Sequence, residues 1–144
     1  MDIQKLGGRA VQINKSIFRY IEHELYNYEQ TKKDLALYRE QILEGTAYPE
    51  VSVQSGPGDV TANKAVQLAS SAFVVQAERV ISSVDKALTI LGDKHNELFK
   101  LKYQLGVTWP NITLDMGISD RTYYRLRREL VVTTGQQLGL INVE

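Results

Sequence analysis

The chain contains no cysteine. Disulfides and thiolate metal sites are therefore excluded, and a reducing compartment fits the absence. No run of about 18 apolar residues occurs, so no membrane span is expected. The opening residues, Met1-Asp2-Ile3-Gln4-Lys5, lack the apolar stretch of a secretory signal. Charge of one sign is also lacking: Lys plus Arg number 17 and Asp plus Glu number 17. Any attraction to a polyanion must then come from local clustering, because the field at a surface depends on where the cations sit. The histidines are His23 and His95, far apart in sequence, and each reads as a surface residue rather than a metal ligand. Gly7-Gly8 and Gly56-Pro57-Gly58 lack the surrounding pattern of a phosphate-binding loop. Glu22, Glu24 and Asp2 read as ordinary exposed acids. No catalytic constellation, metal site or cofactor is expected, and the chain does not read as an enzyme.

What is present is helical. Hydrophobic residues make up 43% of 144 residues and charged residues 24%, enough for a packed core in one domain or two small ones. Gly and Pro cut the chain into blocks, and no alternating strand pattern persists beyond a few residues. The first block, about Asn14 to Tyr28, repeats Ile17, Ile21 and Leu25, with Phe18 on the same face. The second, about Thr31 to Glu44, has Thr31 as its expected cap, a stripe of Leu35, Tyr38 and Ile42, and Gly45 as its stop. The residues between them leave open whether these are one helix or two. Residues 46–60 carry the Pro, Gly and Ser of a flexible loop.

A long central helix is expected over residues 61–92. Val66, Ser70, Phe73, Ala77, Val80, Val84, Ala87 and Leu91 make a heptad-like seam along it, widened by Val75, Ile81, Leu88 and Ile90. The seam suits either a core helix of a bundle or a dimer interface, and its small residues suit close packing. Gly92 ends this helix, Asp93 is the expected cap of the next, and Gly106 closes it after Leu98, Leu101, Tyr103 and Leu105. Tyr20, Tyr26, Tyr28 and Tyr38 read equally as an exposed patch for a partner and as residues lining a bundle edge.

Residues 93–144 form the expected DNA-binding segment. Thr108 caps a short helix that admits Pro110 in its first turn. Gly117 suits a tight left-handed turn, Ile118 points inward and Ser119 caps a second helix. Trp109, Ile112 and Met116 make one apolar stripe. Ile118, Tyr123, Leu126 and Leu130 make another, and Leu98 and Leu101 complete a small core. In a helix-turn-helix the first helix crosses the DNA backbone and the second enters the major groove. The outward face of the second helix carries Arg121, Thr122, Tyr124, Arg125 and Arg128, and residues 120–130 hold four arginines against Asp120 and Glu129. Arg bonds guanine edges bidentately and also grips phosphates.

Thr108-Trp109-x-x-Ile112 followed by Ile118-Ser119-x-Arg121-Thr122-Tyr123-Tyr124-x-x-Arg127-Arg128-Glu129 resembles the C-terminal motif of the RinA/ArpU family of phage transcriptional regulators. Upstream, Lys32-Lys33, Arg39-Glu40-x-Ile42-Leu43, Tyr48-Pro49 and Thr61-Ala62-Asn63-Lys64-Ala65 are similar to that family's middle segment in order and spacing. The likeness spans roughly residues 13–140. It implies an all-α fold: N-terminal helices over 1–45, then the long central helix, then a domain resembling region 4 of sigma factors. It also implies an activator of phage or prophage late genes for packaging, capsid assembly and lysis, working in the cytoplasm of a Gram-positive host. Double-stranded DNA is the implied partner, with host RNA polymerase and a second copy of the chain as further ones, and no membrane. Carried over by position, Asp120, Arg121, Tyr124 and Arg125 are the base-reading candidates. Thr122, Arg127 and Arg128 are better placed for phosphates or for helix packing. Three positions depart from the pattern: Thr113 replaces a usual small Ala, Pro110 a usual charged residue, and Glu29 a proline that often separates the first two helices. Two other functions stand as alternatives: a small-terminase-like packaging component, a class that also joins a helix-turn-helix to oligomerising helices but usually places it near the N-terminus and forms large rings, and an interaction protein that binds polymerase without DNA.

Overall fold

The side-chain oxygen of Asn14 accepts the Ser16 amide at 2.7 Å, satisfying one donor that a helix leaves open at its start. Helix α1 then runs Lys15–Tyr26. Ile21 and Leu25 of the expected stripe are fully buried, while Ile17 and Phe18 are half-buried at its edge. Asn27 closes α1. Its amide and its side-chain nitrogen both donate to the His23 carbonyl, at 3.0 and 2.9 Å. The first two blocks are thus separate helices without a proline between them. Helix α2 begins at once and runs Tyr28–Glu44, so Thr31 lies within it and not at its cap. Gly45 and residues 46–59 of the expected loop fall outside the described residues. This structure, a computed structural model, describes residues 5–6, 9–10, 13–44 and 60–142. Near the N-terminus, Lys5–Leu6 (β1) pairs antiparallel with Arg9–Ala10 (β2), Lys5 opposite Ala10 and Leu6 opposite Arg9. Among the described residues, all the other regular elements are helical.

The expected central helix is divided. Helix α3 runs Val60–Ser70 and α4 runs Ala72–Leu91, with Ser71 between them. Helical bonding continues across the division: Ser71 donates to the Gln67 carbonyl at 2.9 Å, and Val75 donates to that of Ser71 at 3.0 Å. The seam is also rotated at its N-terminal end. Val66 is 59% exposed and Phe73 37%, whereas Ser71, Val74 and Ala77 are buried. Val74 and Ala77 cluster there with Leu35 of α2, Tyr38 and Ile81 pack against them, and Tyr38 also meets the Phe73 ring edge-on at 5.2 Å. From Ala77 through Val80, Val84 and Ala87 the expected seam is the buried one. Val75 and Ile90 stay exposed and add nothing to the core.

The chain divides into two compact units. One comprises Glu29–Ile81. The other joins Met1–Tyr28 to Ser82–Glu144, so α1 belongs with the C-terminal helices.

In the latter unit, Gly92 adopts φ 104°, open to glycine and costly for other residues, and precedes helix α5, Asp93–Leu98. Asp93 is the first helical residue and not the cap. No side chain caps this helix; the Asn96 side chain donates to the carbonyls of Gly92 and Leu88, at 2.6 and 2.9 Å. A π-helical stretch, Phe99–Gln104, continues α5, and the Leu105 amide reaches back five residues to the Lys100 carbonyl at 2.9 Å. Leu98, Phe99 and Tyr103 are buried, but Leu105 is 62% exposed and lies outside the core. Tyr28 is buried as well, edge-on to Phe99 and hydrogen-bonded to Asp85, whereas Tyr26 and Tyr20 are exposed. The tyrosines therefore do not share one role.

Ile21, Leu25, Leu98, Ile112, Leu126 and Leu130 are each less than 2% exposed. Burying such a side chain contributes about 1.5–3 kcal/mol, so this unit has ample means to hold a C-terminal helix in place. Among the described residues, no helix is long and apolar enough to cross a membrane.

Candidate nucleic-acid interface

Val107 and Gly106 lead out of the π-helical stretch, and Thr108 takes an extended conformation before helix α6, Trp109–Met116. The Thr108 hydroxyl makes no capping bond to the backbone; it accepts from the Asn111 side chain at 3.1 Å. Pro110 stands in the first turn, where its missing amide has no helical partner to lose. The Thr113 hydroxyl donates to the Pro110 carbonyl at 2.9 Å, which satisfies it within its own helix.

Gly117 ends α6 at φ 62°, ψ 40°, the left-handed conformation expected of it. Ser119 then caps helix α7, Asp120–Gln137, its hydroxyl oxygen accepting the Thr122 amide at 3.1 Å. Asp120 in the first turn complements the positive end of the helix dipole. Two consecutive helices are therefore joined by the turn Gly117-Ile118-Ser119. Their inner faces meet in a core of Leu98, Ile112, Tyr123 and Leu126, with Leu101, Val107, Met116 and Ile118 packed around it. Trp109 does not enter that core. It is 38% exposed and stacks on Tyr124, their centroids 6.3 Å apart.

Helical spacing puts Arg121, Tyr124, Arg125 and Arg128 on one stripe of α7, three, four and seven residues apart. Asp120, Arg121 and Tyr124 are exposed; Arg125 and Arg128 are half-buried. Among the described residues, Arg121 has no hydrogen-bond or ion-pair partner. Arg125 donates to the buried Glu129 at 3.0 Å, and the same carboxylate oxygen lies 3.3 Å from His95 Nε2. His95 is accordingly no surface residue, its side chain being 12% exposed. Thr122 is half-buried and takes part in the Ser119 cap through its amide and hydroxyl.

Arg127 faces another way. Its Nε and Nη2 donate to the two oxygens of Glu22 on α1, at 2.9 and 2.6 Å, and its guanidinium lies 5.1 Å from the Phe18 ring centroid. Of the two roles expected for Arg127, helix packing is the one its contacts serve. Glu22 is not the exposed acid its context suggested. Its side chain is 14% exposed and also accepts the Tyr103 hydroxyl at 2.7 Å. Burial alone would raise the Glu22 pKa, but the bonds from Arg127 and Tyr103 outweigh it and hold the carboxyl below its usual range. Burial, with Glu22 alongside, pushes the Tyr103 pKa well up. The sequence held one signal of this. Glu22 stands four residues after Phe18 and three before Leu25, on the apolar face of α1, where an acid needs a partner.

The cationic surface is thus smaller than the local count of arginines implies. Arg127 is committed to Glu22 and Arg125 is shared with Glu129, while Arg121 is exposed on the same stripe as Tyr124, which stacks on Trp109. No family model, curated protein or solved structure matches this chain.

Proposed function

We propose that the chain is a sequence-specific DNA-binding regulator that docks α7 in the major groove of duplex DNA. One observation carries the reading: exposed Arg121 and Tyr124 share a stripe with Arg125, on a helix capped by Ser119 just after a left-handed glycine turn. Those are the parts a helix-turn-helix needs, namely a buried inner face, a fixed entry and an outer face of donors. Arg121, Tyr124 and Arg125 read base edges, and Arg125 is braced from behind by Glu129. Asp120 accepts from a cytosine amino group at the edge of the footprint. Arg128 and Thr122 face the phosphates. With its resemblance to the RinA/ArpU family, including a C-terminal part like region 4 of sigma factors, the chain acts as an activator of phage or prophage late genes in the host cytoplasm, alongside the host RNA polymerase.

The test is selection of bound duplexes from random-sequence DNA by the full chain, followed by gel shifts with Arg121→Ala and Arg125→Ala. A recovered consensus, bound by the parent chain and weakened in both variants with unchanged helical circular dichroism, is the expected result. Recovery of no consensus overturns the reading. Light scattering separates the packaging function, which calls for a ring of many subunits.

A further inference from the structure

Tyr124 is half exposed in the middle of the arginine stripe, with Arg121 three residues before it and Arg128 four after. Its ring is held from two sides. Trp109 stacks at 6.3 Å with 30° between the planes, and Tyr123 meets it edge-on at 5.2 Å. Tyr123 is itself buried and so forms a fixed base. Trp109 remains 38% exposed beside it, giving a rigid aromatic wall flanked by cations.

A wall of that kind has a restricted choice of partner in a duplex. The flanking arginines draw it to phosphate-lined DNA, but the wall itself offers mostly apolar surface. The major-groove edges are polar donors and acceptors with one exception, the C5-methyl group of thymine. We propose that the Trp109–Tyr124 wall reads a thymine methyl: Tyr124 contacts it, and Trp109 is a positioning residue that fixes the Tyr124 ring. This inference rests on α7 docking in the major groove, as proposed above. Because both ring contacts exist before DNA arrives, little side-chain freedom is lost on binding.

The test uses the duplex selected by the full chain, with each thymine replaced singly by deoxyuridine, which removes the methyl and keeps the pairing. At one position the parent chain should bind the deoxyuridine duplex about fourfold more weakly, the worth of one buried methyl-sized group. Tyr124→Ala should bind both duplexes alike, and Tyr124→Phe should keep the difference. Trp109→Ala should lower the thymine-to-deoxyuridine ratio, and Trp109→Phe should restore it. A change in that ratio separates positioning from a general loss of fold. Trp109 is the sole tryptophan, so its emission should also shift when the selected duplex is added. If the selected site contains no required thymine, or every deoxyuridine duplex binds as well as the parent, the methyl contact is wrong while groove docking stands. A methyl effect that survives in Tyr124→Ala assigns it to another residue and overturns the proposal. Failure to bind any duplex removes the docking reading and this inference together.

Discussion

Arg127 on α7 reaches Glu22 on α1 with one edge of its guanidinium, Nε and Nη2 donating at 2.9 and 2.6 Å, across 105 residues of sequence. The pair makes Arg127, expected to serve phosphates or helix packing, a tie between α1 and α7. Neighbouring arginines on one helix thereby acquire opposite roles, and substitution should separate them.

Arg127→Ala should lower folding stability by about 1–3 kcal/mol, because it takes the bidentate partner from a largely buried carboxylate and leaves it the Tyr103 hydroxyl and the charge of Lys102. Arg121→Ala should leave the melting temperature unchanged and cost about 1–3 kcal/mol of discrimination for the preferred duplex. Thermal melts and gel shifts on the two variants check this. Equal melting temperatures would show that the Glu22 tie holds nothing.

Stability should depend on pH through the same cluster. The Glu22 pKa is lowered in the folded chain, so its contribution is present above the ordinary value of 4.5 and is lost as pH falls through the folded one. The Tyr103 pKa is raised, so its contribution is present below the ordinary value of 10.0 and is lost as pH climbs toward the folded one. Urea melts across acid pH should show a shallower decline for Glu22→Gln than for the parent. Alkaline melts should do the same for Tyr103→Phe.

Gly135 lies inside α7, where a Cβ would come 2.5 Å from Ile141 Cδ1 and 2.7 Å from Ile21 Cδ1. Alanine would gain about 1 kcal/mol of helix propensity there, against about 1–3 kcal/mol for overpacking. Gly135→Ala should therefore be mildly destabilising. Because the obstacles are the ends of isoleucine side chains, adding Ile141→Val should recover part of the loss. A Gly135→Ala chain more stable than the parent would show that the two methyls move aside freely.

The turn before α7 should be sensitive for two separate reasons. Gly117 has open space where a Cβ would go, so Gly117→Ala should cost only the left-handed backbone, about 1–2 kcal/mol. Ser119→Ala should remove the cap, at about 1 kcal/mol. The sites are two residues apart, and a double-mutant melt measures whether they act as one device.

Local chemistry made much of this protein legible in its sequence. Gly117 and Ser119 fixed the turn and the start of α7, because a left-handed glycine and a capping hydroxyl act within a few residues of themselves. The spacing of Ile21, Leu25, Ile112, Leu126 and Leu130 fixed which faces are buried, because a helix repeats its direction every 3.6 residues. What periodicity leaves open is the partner of each face. Val74, buried in place of Phe73, packs in a cluster with Leu35 and Tyr38, which lie on another helix. The commitments of Arg127 to Glu22, of His95 to Glu129, and of Tyr28 to Asp85 likewise need groups distant in the chain. A sequence sets which side chains carry charge and which surface of a helix is apolar. Which charges stay presented to a ligand is decided only when the helices pack, because a buried carboxylate must take its counter-ion from whatever cation the fold brings within reach.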